Sequence, residues 1–138
     1  MPVIEGTRGL KQAQGEYDFA VDGGAVSTIT LRAATSDSNG NEIPAGSVIT
    51  GGYIEVDTLV TSASGNTGTI AVSSEGAADL QAAAVTSGAP WSTTGRKAIV
   101  PAFTAATSVK TTARRSITIT VAVAALTAGK FRVVVFYK

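Results

Sequence analysis

The C-terminal stretch Phe131–Lys138 (FRVVVFYK) constrains the fold more than any other. Successive side chains of a strand point to opposite faces. Phe131, Val133, Val135 and Tyr137 take one face, and Arg132, Val134, Phe136 and Lys138 take the other. Both faces are substantially apolar, and such a strand needs cover on both sides. It therefore belongs to the core, with its second face meeting another sheet, an N-terminal arm or another subunit. Just upstream, Ile117, Ile119, Val121 and Val123 alternate with Thr118, Thr120 and Ala122, which predicts a strand with one buried face. A short turn separates the two runs, so they read as a closing hairpin.

Further runs of the same period lie upstream. In "EYDFAVDGG", Tyr17, Phe19 and Val21 share a face. Asp22-Gly23-Gly24 then signals a turn into "AVSTITLRA", where Val26 is out of phase with Ile29 and Leu31, and the two segments read as a hairpin. "VITGGYIEVDTLVTS" is a long strand with Ile54, Val56, Thr58 and Val60 inward, and Tyr53, Glu55, Asp57 and Leu59 outward. "TIAVSSE" is a short strand with Ile70 and Val72 inward. "GAADLQAAAVTSG" is open between a short helix capped by Asp79 and an extended segment, because Ala and Leu favour helix while the flanks are strands. "AIVPAF" and "TSVKTT" suit edge strands, since Pro101 cannot donate to a ladder. Residues 1–15, broken by Gly6, Gly9 and Gly15, read as an extended N-terminal arm. Residues 16–138 read as one all-β domain, an antiparallel β-sandwich or jelly-roll/barrel.

Composition removes whole classes of chemistry. There is no Cys and no His, so disulfides, thiolate metal sites and a His general base are excluded. No stretch reaches the roughly 18 unbroken apolar residues of a membrane span. The N-terminus lacks the basic start and apolar run of a signal peptide, so synthesis in a cytoplasm is expected. Glu55 and Asp57 sit two apart on the outward face of a strand, which is the ordinary solvated pattern and not a pair of carboxylates across a cleft. Asp37, Asn39 and Asn41 begin a calcium-loop spacing, but Glu42 stands where Gly is needed and Val48 where the bidentate Glu is needed. "STTGRK" lacks the upstream Gly of a phosphate loop. The expectation is therefore no enzyme, no cofactor, no metal and no small-molecule substrate.

Charge is unevenly placed. All ten acids occur at or before Asp79, and only Arg8, Lys11 and Arg32 of the eleven bases precede it. Either strands of the two halves interleave and the charges pair, or the surface carries an acidic and a basic pole suited to docking. A net charge of +1 argues against a freestanding nucleic-acid binder. The basic clusters, Lys110 with Arg114-Arg115 and Arg96-Lys97, have no interleaved aromatics to stack bases. The single Trp, Trp91, lies in the loop "GAPWSTTG". It is either a sugar platform or, more commonly, a plug at a sandwich end or an interface.

The segments "GEYDFAVDGGAVSTITLR", "SGAPWSTTGRK" and "LTAGKFRVVVFY" resemble parts of small structural proteins of tailed bacteriophages, described as head decoration (cement) proteins or unassigned virion proteins. The likeness spans roughly Glu16 to Tyr137 and lies in phrasing and composition. It implies a β-sandwich or barrel that binds the major capsid protein on the outside of the virion, often as homotrimers at local three-fold axes, and stabilises the capsid. It implies no enzyme activity, and no involvement of nucleic acid or membrane. That family has no fixed contact motif, so contact candidates come from charge and exposure: Arg8, Lys11, Trp91, Arg96, Lys97, Arg114 and Arg115. A tail or head-fibre component, and a carbohydrate-binding or adhesin module, are the alternative readings.

Overall fold

The computed structural model describes residues 11–33, 40–99 and 109–138. The described residues form nine strands: β1 (Lys11–Asp18), β2 (Thr28–Thr30), β3 (Arg32–Ala33), β4 (Ile49–Ser62), β5 (Thr69–Ser73), β6 (Gln81–Val85), β7 (Gly95–Ala98), β8 (Thr118–Ala122) and β9 (Leu126–Tyr137). They make two sheets, ordered β3-β1-β9-β4-β7 and β2-β8-β5-β6, with every pairing antiparallel. This is the all-β sandwich that the alternation predicts.

The place of β9 explains its composition. It runs between β1 and β4 along nearly its whole length, with Lys11 opposite Tyr137, Asp18 opposite Lys130 and Ile54 opposite Val133. Its inward side chains, Phe131, Val133 and Val135, are fully buried against Ile70, Val72, Ile119 and Val121 of the other sheet. On the outward side Val134, which lies between Gln14 and Tyr53 in the ladder, is also buried within this one chain. Phe136, on the same face, is only half-buried.

Four expectations are corrected. First, the boundary at residue 15 falls inside β1, which starts at Lys11. Its inward positions are Ala13, Gly15 and Tyr17, and the two small ones conceal the alternation. A Cβ on Gly15 would stand 2.6 Å from the Leu31 Cβ, so the close approach demands Gly. Residues 1–10 lie outside the described residues. Second, the strand through Tyr17 stops at Asp18, whose carboxylate accepts from the Ala20 N–H (3.0 Å) and opens one helical turn, Phe19–Asp22. Val21 consequently faces solvent, 64% exposed.

Third, the first expected hairpin forms only at its base, where Glu16 opposes Arg32, and the second does not form. The segment after Gly24 crosses between layers: β2 pairs with β8 in the second sheet, while β3 pairs with β1 in the first. Likewise β8 and β9 belong to different sheets. Between them Ala124 N–H donates to the Ala122 carbonyl (2.8 Å) across Val123, which has φ 70° and is 74% exposed instead of inward. An i to i+2 bond about such a residue is the tight γ-turn, which redirects the chain within three residues. Fourth, Thr58 is exposed, because the β4–β9 register shifts after Val56.

The ambiguous segment is extended, as β6. Asp79 does not cap a helix. Its carboxylate gathers the N–H groups of Ser74 (2.7 Å), Glu75 (2.8 Å) and Gly76 (2.9 Å), closing the β5–β6 turn. Of the two expected edge strands, residues 100–108 lie outside the described residues; β7 covers Gly95–Ala98, and Lys110 bridges to Val48.

Candidate interaction surfaces

Folding brings the two charge classes together. Glu55 on β4 is held by Arg132 on β9 and lies 3.5 Å from Arg96 on β7, because these residues oppose one another across adjacent strands. Glu75 pairs with Arg115, Glu42 with Arg114, and Asp22 with Arg32. Four of these five ion pairs join an acid of the first part of the chain to a base of the second, so interleaving pairs four of the eight late bases with early acids.

The Glu75–Arg115 pair is bidentate, at 2.8 and 3.0 Å, and the same carboxylate accepts from the Thr112 N–H (3.0 Å) and hydroxyl (2.8 Å). These donors, Arg115 first, hold the Glu75 carboxyl down at about 2, against an ordinary 4.5. Folding lowers this pKa, so the stabilisation is complete above about pH 4.5 and is lost as pH falls toward 2. Thermal unfolding followed across that interval should show the loss in the native sequence. Glu75→Gln should start less stable at neutral pH and lose less on acidification. Parallel pH profiles for the two proteins would refute the assignment.

The predicted contact residues fare differently. Arg8 lies outside the described residues. Lys11 is exposed at the start of β1. Trp91 is fully buried, its ring 4.8 Å from that of Phe131, which in turn stacks on Tyr17 at 5.1 Å. It is a core residue, with no exposed surface to offer a sugar or a partner. Arg96 is exposed and lies 4.2 Å over the Tyr53 ring, a cation–π contact. The Lys97 ammonium turns back on its own loop, donating to the carbonyls of Thr93 and Thr94. Arg114 is exposed, 3.8 Å from Glu42, whereas Arg115 is engaged by Glu75. Glu55 is occupied by arginines and Asp57 is exposed, so the two do not work as a pair.

Asn41, the described member of the failed calcium spacing, points inward. Its Nδ2 donates to the carbonyls of Leu31 (2.8 Å) and Ile117 (3.0 Å), and its Oδ1 accepts from the Ile117 N–H (2.7 Å). Among the described residues no group of three or more His, Cys, Asp or Glu is placed to hold a metal, and no helix is long and apolar enough to cross a membrane.

Two surfaces escaped the sequence reading. The outward side of the second sheet carries Thr28, Thr30, Thr118, Thr120, Thr69 and Ala71 and has no charged side chain among its strand residues. At one end of the first sheet, Lys110 and Lys138 flank Val48 from two distant segments. No local signal in the sequence marks either.

Neither a known protein family nor a curated protein matches this sequence. Solved structures do. A chain from the capsid asymmetric unit of cyanophage Pam1 aligns over 93% of this chain and 83% of its own, with TM-score 0.63 and 20% identity. A chain from the acid-stable capsid of Helicobacter pylori bacteriophage KHP30 aligns over 93% and 86%, with TM-score 0.58 and 13% identity. A chain from the capsid of Ralstonia phage GP4 aligns over 99% and 88%, with TM-score 0.57 and 16% identity. The sandwich is thus a fold found in chains of phage capsids.

Proposed function

We propose that this chain is a non-enzymatic structural protein of a phage virion that binds the outer surface of the capsid and stabilises the head, as a decoration or cement protein. The observation that carries this reading is the shared fold. Three phage-capsid chains match it over nearly the whole of this chain and more than four fifths of their own lengths. They are therefore compact sandwiches of similar size. The buried Trp91 argues against the adhesin alternative, since the one large aromatic platform that the sequence offers is in the core.

A rigid module of this kind gains affinity by occupying many symmetry-equivalent sites and bridging neighbouring shell subunits. A homotrimer at local three-fold axes fits that geometry. Particles purified from phage lacking this protein should break open at a lower temperature than complete ones, and purified protein added back should restore the difference. Equal stability with and without it would remove the stabilising role.

A further inference from the structure

We propose that the outward face of the second sheet is the docking surface, and that it lies flat on an uncharged patch of the protein shell; the assignment rests on the capsid reading above. Charge is sorted between the two broad faces of the sandwich. Across the first sheet Arg32, Glu16, Arg132, Glu55 and Arg96 stand directly opposite one another, one from each strand. Opposed residues share a face, so these five make one row of alternating sign. The next row brings Asp18 opposite Lys130. By contrast, none of the four strands of the second sheet contains a charged residue. On its outward face Thr28 lies opposite Thr120 and Thr120 opposite Ala71, while Ala122, Thr69 and Val85 form the neighbouring row.

Three features separate this face from an ordinary solvated one. Its side chains are Thr, Ala, Ser and Val, which lose little rotamer freedom when covered, unlike the Lys and Glu of a solvated surface. The hydroxyls of Thr28 and Thr120 already face each other at 3.4 Å, which lowers the cost of taking them out of water. At the Ala122 end, Val26 and Val123 project into solvent, 55% and 74% exposed. The Val121 N–H donates to the Ser27 carbonyl (2.8 Å), which keeps their two segments side by side. Val123 projects at φ 70°, where a β-branched residue is strained and glycine is not. A side chain this exposed gains little within the chain to offset that strain, which points to a contact outside it.

Charge selects the occupant. A phosphate, or an acidic or basic protein surface, would be buried here without a counter-charge, which disfavours nucleic acid and charged partners. An uncharged protein surface is the match. The face measures roughly 20 Å across four strands and 17 Å along five residues, about 340 Å² in plan. A stand-alone complex needs ~800 Å² per partner, so two free copies would not hold together through this face alone. On a shell, a homotrimer engages three such faces at once, and the contacts multiply.

The test is binding of purified protein to particles lacking it, at low and raised salt, with the thermal melt of each variant recorded. Native binding should hold or strengthen as salt rises, since no ionic contact is there to be screened. Thr120→Glu, a charge at the centre of the face, should bind about tenfold or more weakly, while Lys130→Ala on the charged face should bind like the native sequence. If Thr120→Glu unsettles the sheet, Thr28→Glu on the exposed edge strand should weaken binding in the same direction. Val123→Gly should melt no lower than the native protein yet bind several-fold more weakly, because the strain and the contact are removed together. A steep fall of native binding with salt, or Thr28→Glu and Val123→Gly both binding like the native protein, overturns the assignment and leaves the capsid reading intact. Free protein that self-associates through these same residues would make a second copy the occupant, and also overturns it. Native protein failing to bind particles at all removes the capsid reading and the assignment with it.

Discussion

Trp91→Ala is expected to destabilise the protein by about 3–5 kcal/mol, the cost of emptying a large aromatic site in a close-packed core. Trp91 sits at one end of a stack that continues through Phe131 to Tyr17, so truncation strips contacts from the most buried ring of β9. Its Nε1 has no hydrogen-bond partner among the described residues, so its contribution there is one of volume and ring contact. Trp91→Phe should therefore cost less than half as much as Trp91→Ala. Equilibrium urea unfolding of the three proteins decides this. A loss below about 1 kcal/mol for Trp91→Ala would place the indole outside the core and revive a surface role.

Asn41→Ala is the second large effect, expected at about 2–4 kcal/mol. Asn41 satisfies the Leu31 carbonyl between β2 and β3 and both backbone groups of Ile117 ahead of β8. Leu31 N–H also donates to the Ile117 carbonyl (3.1 Å), so the side chain pins the point where the chain passes between sheets. Alanine would leave buried backbone groups without a partner, and each such loss costs about 1–3 kcal/mol. Asn41→Asp should cost comparably, because a carboxylate cannot donate to the two carbonyls. Unfolding midpoints within error of the native value would contradict this role.

The fold was legible where Ile and Val alternate. The inward residues of β4, β5 and β9 follow directly from period two, with Thr58 lost to a register shift. It was illegible where packing asks for small residues, as at Ala13 and Gly15 of β1, and where a turn changes layers. The sequence around Val123 reads as an ordinary hairpin. Nothing in it announces a residue at positive φ sending the chain to the other sheet, because that conformation is imposed by burying β8 and β9 in separate layers. The site was only partly legible for a similar reason. Arginine pairs and a lone Trp draw the eye by residue type, yet Arg115 is engaged by Glu75 and Trp91 by Phe131. Lys110 and Lys138 meet only through Val48, a contact set by topology.

The charge split makes the same point. Acids confined to residues up to Asp79 look like one pole of a bipolar molecule. Because β9 lies between β1 and β4, and β7 lies beside β4, late bases reach early acids, and part of that polarity is cancelled in place.

The central claim is that this chain belongs to the capsid surface in many copies. The most direct measurement is its copy number in purified virions relative to the major shell protein, by quantitative mass spectrometry. A number comparable to the shell protein is the predicted result. A handful of copies per particle would move it to the tail or a fibre, and absence from the virion would contradict the account.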